Sequence, residues 1–175
     1  MRPARADVDA RKTLLGFLLA EVHYALDICR VVQVLRPLPM TPLPPLPEGL
    51  VGVVEHRNDV IPVIDLRLCF GLPLQPATRQ TRWILVDLGS QPLAIIVDGV
   101  TRVFGTAPHA LRPAPGLAGD VHRGVLGVTS YEGRLTFVLD VDRLRRAVAS
   151  LPPPPSSRQS APSFKPRSSL PGPRS

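Results

Sequence analysis

The sequence predicts an all-β protein made of two related β-subdomains. Its apolar residues fall in short segments separated by turn-forming residues, which is typical of antiparallel strands. The 22 prolines cluster between residues 37 and 47 and between residues 152 and 173, and they disfavour long helices. Residues 52–67 also align with residues 127–142 without a gap, which indicates that one β-unit occurs twice.

Each copy of the repeat reads as a strand, a turn, a second strand and an aspartate at its exit. Gly52 aligns with Gly127, and the turn residue Asn58 aligns with Gly133. Asn and Gly both tolerate a positive φ, so both turns suit a tight β-hairpin. Chance similarity is the alternative, because Val-rich strands draw on few residue types. A genuine repeat predicts two subdomains, each closed around its own small apolar core.

The strands can be placed in order from these apolar segments. The first three follow each other closely and are predicted to pair as antiparallel neighbours. Later pairs flank turn signals, which predicts hairpins there as well. The predicted strands cover residues 13–20, 22–28, 31–36, 50–56, 60–66, 81–88, 92–100, 101–104, 125–131 and 134–141.

Two short helices and three irregular connections complete the prediction. Residues 66–72 fit one helical turn that ends at a glycine, and residues 142–150 fit a short helix. Residues 37–47, 72–80 and 105–120 carry Pro or Gly without a helix or strand period. We expect all three to be irregular.

The chain divides into a flexible N-terminus at residues 1–12, a folded domain at residues 13–149 and a disordered tail at residues 150–175. The tail is rich in Pro, Ser and Arg, so burial cannot offset an ordering entropy of about 1–2 kcal/mol per residue. Most of the net charge of +7 lies in the two terminal segments. A nearly neutral domain with few aromatic residues argues against a nucleic-acid surface.

No catalytic or metal-binding pattern stands out in the sequence. Asp87, Asp98 and Asp140 end apolar strands, but they lack the Asp-Thr/Ser-Gly pattern of aspartic proteases and are interpreted as turn or capping residues. We therefore expect a binding module that is not an enzyme and needs no metal and no cofactor. The histidines also lack metal-ligand spacing; they are His23, His56, His109 and His122.

The two cysteines and the hydropathy pattern bear on the cellular compartment. Cys29 and Cys69 lie in apolar strings without a partner motif, so they are interpreted as buried thiols in a reducing compartment. The apolar run from Leu14 to Ala20 is short and follows acidic residues, which favours a strand over a signal peptide. The sequence predicts a cytoplasmic protein without a membrane span.

Arg57 is the only basic residue in the turn between the apolar strands at residues 50–56 and 60–66. With Gly52 and Asn58 it is a candidate for a binding site. Its planar guanidinium carries five donors, which can hold its own loop or reach the carbonyls of a partner.

Several motifs resemble the CheW family of bacterial chemotaxis coupling proteins, from about Thr13 to Ala149. The resemblance implies two small five-stranded SH3-like β-barrel subdomains packed together, with short helices that include one at the C-terminal end of the domain. The matching motifs are Tyr24-x-Leu-Asp-Ile, Gly52-Val-x-x-x-Arg57-x-x-Val-Ile-Pro-Val-Ile-Asp65-Leu-Arg, Ile95-Ile-Val-Asp98-Gly99-Val and Arg112-Pro-Ala-Pro.

The resemblance implies a non-enzymatic scaffold that couples methyl-accepting chemotaxis receptors to the histidine kinase CheA. Such a protein is cytoplasmic and recruited to receptor arrays at the membrane, without binding nucleic acid or inserting into the membrane. The receptor's helical tip would dock in a groove between the subdomains, and the regulatory domain of CheA would engage the barrel ends. Carried over by position, the groove residues are Val31, Gln33, Gly52, Arg57, Asn58, Val100 and Val103.

Two positions depart from the family pattern. The chain reads Glu55-His56-Arg57-Asn58 where the family usually has Asn-Leu-Arg-Gly, so side chains project where glycine has none. Gln33 stands where many members carry an acid that would pair with Arg57, and a neutral acceptor makes a weaker bond. We predict a loosely held Arg57 or a carboxylate partner elsewhere, such as Glu55.

Two alternative functions stay open at this point. A diverged CheW-like regulator could serve a kinase pathway outside motility without binding receptors, and residues 55–58 separate this reading from the scaffold. A small β-barrel hydrolase or ligand-binding domain would need a deep polar pocket. The sequence offers no polar cluster to line one.

Overall fold

Two β-sheets and a few short helices make up the computed structural model, which describes residues 11–43, 49–114 and 124–148. This confirms the predicted all-β class. The strands are β1 (Lys12–Leu19), β2 (Val22–Asp27), β3 (Val31–Leu35), β4 (Thr41–Pro42), β5 (Leu50–His56), β6 (Asp59–Asp65), β7 (Arg82–Asp87), β8 (Pro92–Val97), β9 (Gly99–Thr106), β10 (Val125–Tyr131) and β11 (Arg134–Leu139). The helices are α1 (Leu66–Cys69) and α2 (Val141–Val148), with single 3-10 turns at Ile28–Arg30 and Pro108–Ala110.

Most of the predicted N-terminal segment and the predicted tail lie outside the described residues, as does His122. Lys12 already belongs to β1, one residue before the predicted domain boundary. Among the helices that the structure describes, none combines the length and apolar content of a membrane span.

Both sheets share one strand order. The first runs β10-β11-β2-β1-β9, and the second runs, from its other edge, β4-β5-β6-β8-β7-β3. In each sheet two hairpins are joined by one parallel pair, β11 with β2 and β6 with β8. Apart from the two-residue β4, the sheets therefore have equivalent topology, as the repeat predicted.

The repeat also holds in local detail. The β5–β6 register shifts between Leu50 and Gly52, and the β10–β11 register shifts at the aligned position before Gly127. The aspartate that closes each copy caps the following helix: Asp65 accepts a bond from the Arg67 N–H at 2.8 Å, and Asp140 caps α2 in the same way. The register shifts and the helix caps fall at aligned positions, which shows that residues 52–67 and residues 127–142 fold alike.

The outer strands pair differently from the prediction. The antiparallel pairing of β1 with β2 is confirmed, but β3 does not join them and pairs with β7 instead. It cannot lie beside β2, because the free edge of β2 is occupied by β11. β9 leaves the β7–β8 hairpin in the same way and covers the other edge of β1.

The connections are less irregular than predicted. Residues 37–47 contain β4, whose Thr41 and Pro42 pair with Val53 and Gly52 of β5. A proline is tolerated there because β4 is an edge strand. Residues 72–80 have no regular element, as predicted.

Three apolar clusters hold the sheets together. In β1, Leu14 faces the interior of the first sheet, whereas Leu15 and Phe17 face a core shared by both sheets. The predicted separate cores exist, and the larger shared core between them was not predicted. The clusters centre on Leu14, Ala25, Phe104 and Val138 in the first sheet, on Val54, Ile61, Trp83 and Leu85 in the second, and on Phe17, Leu26, Ile64, Ile84, Val86 and Ile95 between them.

The first sheet curls until its two outer strands meet. The hydroxyls of Thr106 in β9 and Thr129 in β10 are 3.0 Å apart and buried. Phe104 and Tyr131 stack beside them with ring centroids 4.1 Å apart. This curvature is consistent with the predicted barrel.

The cysteine prediction was wrong for Cys29. That residue lies in the 3-10 turn between the sheets and is exposed, whereas Cys69 is partly buried near the shared core. The turn projects Cys29 outward because it connects β2 with a strand in the other sheet.

The β1–β2, β5–β6 and β10–β11 hairpin turns use positive φ at both central residues, as in type I′ turns. The predicted turn residues Asn58 and Gly133 have φ of 69° and 74°. Their neighbours Arg57 and Glu132 also have positive φ, at 53° and 50°, which the sequence analysis did not predict.

Replacing Glu21 with Gly is expected to raise the free energy of unfolding by about 0.5–1 kcal/mol, because Glu21 in the β1–β2 turn has φ of 65°, a region that disfavours side chains. Urea unfolding measures this change. The matched control is Glu55→Gly on the exposed face of β5, which should lose about 0.5–1 kcal/mol. A loss of stability in Glu21→Gly would contradict the strained turn.

Candidate protein-binding site

Val31 and Val100 occupy equivalent outer strands of the two sheets. Val31 begins β3 and Val100 lies near the start of β9, and both side chains are partly buried against the shared core. Because that core lies between the sheets, the structure brings these two predicted residues to the junction of the subdomains.

The outer strands also expose valines. Val103 of β9 is 51% exposed, and Gln33 of β3 is partly buried. Val32 and Val34, which the sequence analysis did not select, are 57% and 37% exposed. An edge strand with exposed apolar side chains offers both unpaired backbone groups and apolar surface to another chain. An apolar sequence pattern indicates exposed residues such as Val32 and Val34 only when the strand is known to lie at the edge of a sheet. The sequence did not show that β3 is an edge strand.

Gly52 is buried beneath β4. A Cβ at this position would lie 2.5 Å from the carbonyl oxygen of Thr41 and 2.8 Å from the side chain of Met40. Gly52 therefore lets β4 pack closely against β5 and presents no side chain to a partner.

Arg57 and Asn58 are exposed at the tip of the β5–β6 hairpin. Five residues of extended strand, about 16 Å, separate Arg57 from Gly52. Within the described residues, the side chain of Arg57 bonds to neither Gln33 nor Glu55 and forms no ion pair. Its donors are thus available to a group outside this part of the chain.

The strongest polar contact between the sheets was missed by the sequence analysis. Arg67 of α1 meets Asp98, the residue between β8 and β9, with Nη2–Oδ2 at 2.6 Å and Nε–Oδ1 at 2.9 Å. Asp98 also accepts the Ala20 N–H at 2.7 Å, in the β1–β2 turn of the first sheet. The interpretation of Asp98 as a turn or capping residue was therefore incomplete. An arginine within the apolar string after Asp65 was the available signal.

Burial and hydrogen bonding around the Arg67–Asp98 pair shift the pKa values of Arg67, Asp98 and the neighbouring Asp65. The hydrogen bond to Asp98 raises the pKa of Arg67, although burial opposes the shift. Burial alone would raise the pKa of Asp98, but bonds from Arg67 and Ala20 outweigh it and the pKa is lowered. Burial raises the pKa of Asp65. Arg67 also donates to the Pro73 carbonyl, so these groups position the sheets and offer little acid–base chemistry.

A second ion pair ties the linker between the sheets to the C-terminal helix. Arg30 reaches Asp142 of α2 at 2.7 Å and donates to the Asp87 carbonyl at 3.0 Å. Both charged side chains are partly exposed, so the pair contributes modestly. Asp87 and Asp140 act as turn and cap residues, as predicted.

The described ranges contain no group of three or more His, Cys, Asp or Glu side chains arranged to hold a metal ion. What they contain is a junction of two similar sheets, bordered by outer strands with exposed valines. This arrangement defines an all-β protein built from two equivalent sheets.

The family model of the CheW-like domain matches residues 13–149. The chain therefore belongs to the CheW-like family, which confirms the resemblance found in the sequence.

Individual relatives agree with this assignment. The chemotaxis protein CheW of Helicobacter pylori is 27% identical over 130 residues, which span 74% of this chain and 79% of that protein. The protein FrzA of Myxococcus xanthus is 29% identical over 133 residues, which span 75% and 82%. The crystal structure of the scaffolding protein TtCheW from Thermoanaerobacter tengcongensis has a TM-score of 0.71 and 29% identity, covering 77% of this chain and 92% of that one.

Proposed function

We propose that this protein is a non-enzymatic scaffold that couples chemoreceptors to the histidine kinase CheA in chemotaxis signalling. Family membership supports the proposal, as do relatives named as chemotaxis and scaffolding proteins. The structural observation that carries it is the placement of Val31 and Val100 on equivalent outer strands at the junction of the sheets. The protein acts in the cytoplasm, at receptor arrays.

The proposed receptor site is a groove that takes the helical tip of a receptor. An amphipathic helix binds such a groove through apolar anchors, and fully burying one valine contributes about 1.5–3 kcal/mol. Val31 and Val100 form the floor, and Val103 and Gln33 form the rim. Arg57 supplies a polar contact from the hairpin tip, and arginine is frequent among the hot-spot residues of protein interfaces.

The regulatory domain of CheA engages the ends of the two subdomains in this proposal. Kinase binding then uses a surface separate from the receptor groove. A substitution in the groove should therefore weaken receptor binding and leave kinase binding intact.

The hairpin tip favours one alternative. Asn58 adopts φ of 69° with a side chain where the family usually has glycine, and Arg57 is not held by Gln33. A regulator that binds a kinase but has lost receptors would carry such changes at this place.

Arg57→Ala is expected to weaken binding of a receptor signalling fragment about tenfold, as for loss of one charge-assisted contact, and to leave CheA binding unchanged. Co-sedimentation or pull-down with both partners from the same cell measures this. Arg112→Ala is the matched control, because Arg112 is an exposed arginine on a different connection. Wild-type binding of the kinase alone would establish the diverged regulator. Binding of neither partner would overturn the coupling role.

A further inference from the structure

An arginine-lined cavity of about 420 Å³ opens at one end of the second sheet. It lies where the chain leaves β3 and where it enters β7, and it shares Thr78 and Thr81 with a neighbouring cavity that contains the Arg67–Asp98 pair. In the arginine-lined cavity, none of the described lining residues is acidic. The lining residues are Arg36, Pro37, Thr78, Arg79, Thr81 and Arg82.

The three arginines of this cavity differ from four other arginines in the described chain, which are ion-paired. Arg30, Arg67, Arg102 and Arg143 each pair with a carboxylate at 3.4 Å or less. The guanidinium groups of the cavity form no ion pair with any described residue, and those of Arg36 and Arg79 form no hydrogen bond either. Like charges that share one space repel each other, so an anion placed among them is stabilised.

The segment from Thr78 to Arg82 is built so that one of these arginines is fixed. Nη1 of Arg82 donates to the carbonyl oxygens of Arg79 and Thr81, both at 2.8 Å. The Thr78 N–H in turn bonds the Thr81 hydroxyl at 2.7 Å, and Thr81 is buried. Arg82 is therefore oriented before any ligand arrives, while its Nε and Nη2 donors bond to no described residue.

We propose that this cavity binds a phosphoryl group, either inorganic phosphate or a small phosphate monoester. A phosphate dianion brings two charges and at least three acceptor oxygens to one point, which suits a cavity lined by three arginines. A carboxylate brings one charge and two oxygens. Among the described lining residues none is aromatic, so they offer a nucleobase no aromatic ring to stack on. The proposal is independent of the coupling role.

The test is an NMR titration of the full chain at low salt, observed through the arginine Nε–Hε signals. The probes are inorganic phosphate, N-acetyl-O-phosphoserine amide and, as the carboxylate control, N-acetylaspartate. We expect saturable shifts of the cavity arginines with both phosphate probes. Arg79→Gln should raise the dissociation constant for phosphate about tenfold, the effect of losing one charge-assisted bond. Arg112→Gln, outside the cavity, should leave it unchanged.

The outcomes separate the alternatives. Tighter binding of the phosphoserine probe than of phosphate would identify a monoester as the ligand, and the reverse order would identify the free ion. Equal or tighter binding of N-acetylaspartate would overturn the phosphoryl assignment in favour of acidic peptide side chains. Shifts that do not saturate, or that Arg79→Gln and Arg112→Gln change equally, would show counter-ion condensation only.

Discussion

Replacing Asp98 with Asn should lower the free energy of unfolding by about 2–3 kcal/mol, the largest electrostatic effect expected in this chain. The amide keeps the shape and can still accept the Ala20 N–H, but it leaves the guanidinium of Arg67, 7% exposed, without its anionic partner. Breaking a fully buried pair costs about 3–5 kcal/mol, and the Asp98 side chain is 33% exposed, which reduces the effect. Urea unfolding at neutral pH measures the loss.

Two other aspartates provide matched controls. Asp87→Asn changes an exposed turn acid, and Asp65→Asn removes a buried charge while keeping an acceptor for the Arg67 N–H. Both should change stability by less than about 1 kcal/mol. If Asp98→Asn costs no more than Asp87→Asn, the ion pair does not hold the sheets together.

The same pair predicts a dependence on pH. The pKa of Asp98 is lower in the folded chain than in the unfolded chain, so the unfolded chain binds more protons as the pH falls. The stabilisation by ionised Asp98 is therefore complete at pH values above its pKa in the unfolded chain, about 3.9. It is lost as the pH falls through the lower pKa of Asp98 in the folded chain. Protonated Asp98 resembles Asn, so the difference between wild type and Asp98→Asn should narrow below about pH 4. A constant difference at every pH would contradict the ionic origin.

The sequence predicted what is encoded locally. The β5–β6 and β10–β11 hairpins follow from Asn58 and Gly133, which accept a positive φ, and the helix caps follow from the aspartates at the strand exits. The β1–β2 turn has neither Gly nor Asn, and only the apolar strands on both sides indicated it. Hairpin turns and helix caps depend on residues that are close in the sequence, so a pattern of a few positions is sufficient to predict them.

Long-range pairing was not predictable in the same way. The edge of β2 that is not paired with β1 could accept either β3 or β11. The residues of β2 do not determine which of these two strands pairs with it. The Arg67–Asp98 pair joins residues 31 positions apart for the same reason. The candidate groove was placed by family resemblance, and its exposed Val32 and Val34 became visible only once β3 was known to be an outer strand.

Replacing Gly127 or Gly52 with Ala should each cost about 2–3 kcal/mol, the upper range for forcing a methyl group into packed structure. A Cβ on Gly127 would lie 2.6 Å from the carbonyl oxygen of Arg112, and one on Gly52 would lie 2.5 Å from that of Thr41. Thr41 pairs with Val53 of β5, and Arg112 pairs with Val128 at the equivalent position of β10. Both oxygens are backbone atoms, so a rotamer change cannot relieve either contact. Urea unfolding measures the loss, and amide exchange in β5 should report displacement of β4 in Gly52→Ala.

Gly105→Ala is the matched control, because Gly105 also lies in a strand but has no atom within 4 Å of a built Cβ. Its stability should rise by about 0.5–1 kcal/mol, since alanine restricts the unfolded chain more than glycine does. If Gly52→Ala is no more costly than this control, β4 is not held against β5 as the structure shows. If it is costly, any loss of receptor binding in Gly52→Ala must be indirect, because Gly52 lies beneath Thr41 and Met40 and presents nothing to a partner. Receptor binding per folded molecule should then stay close to wild type in Gly52→Ala while it falls in Arg57→Ala, which separates a residue that holds β4 in place from the residue proposed to contact the receptor.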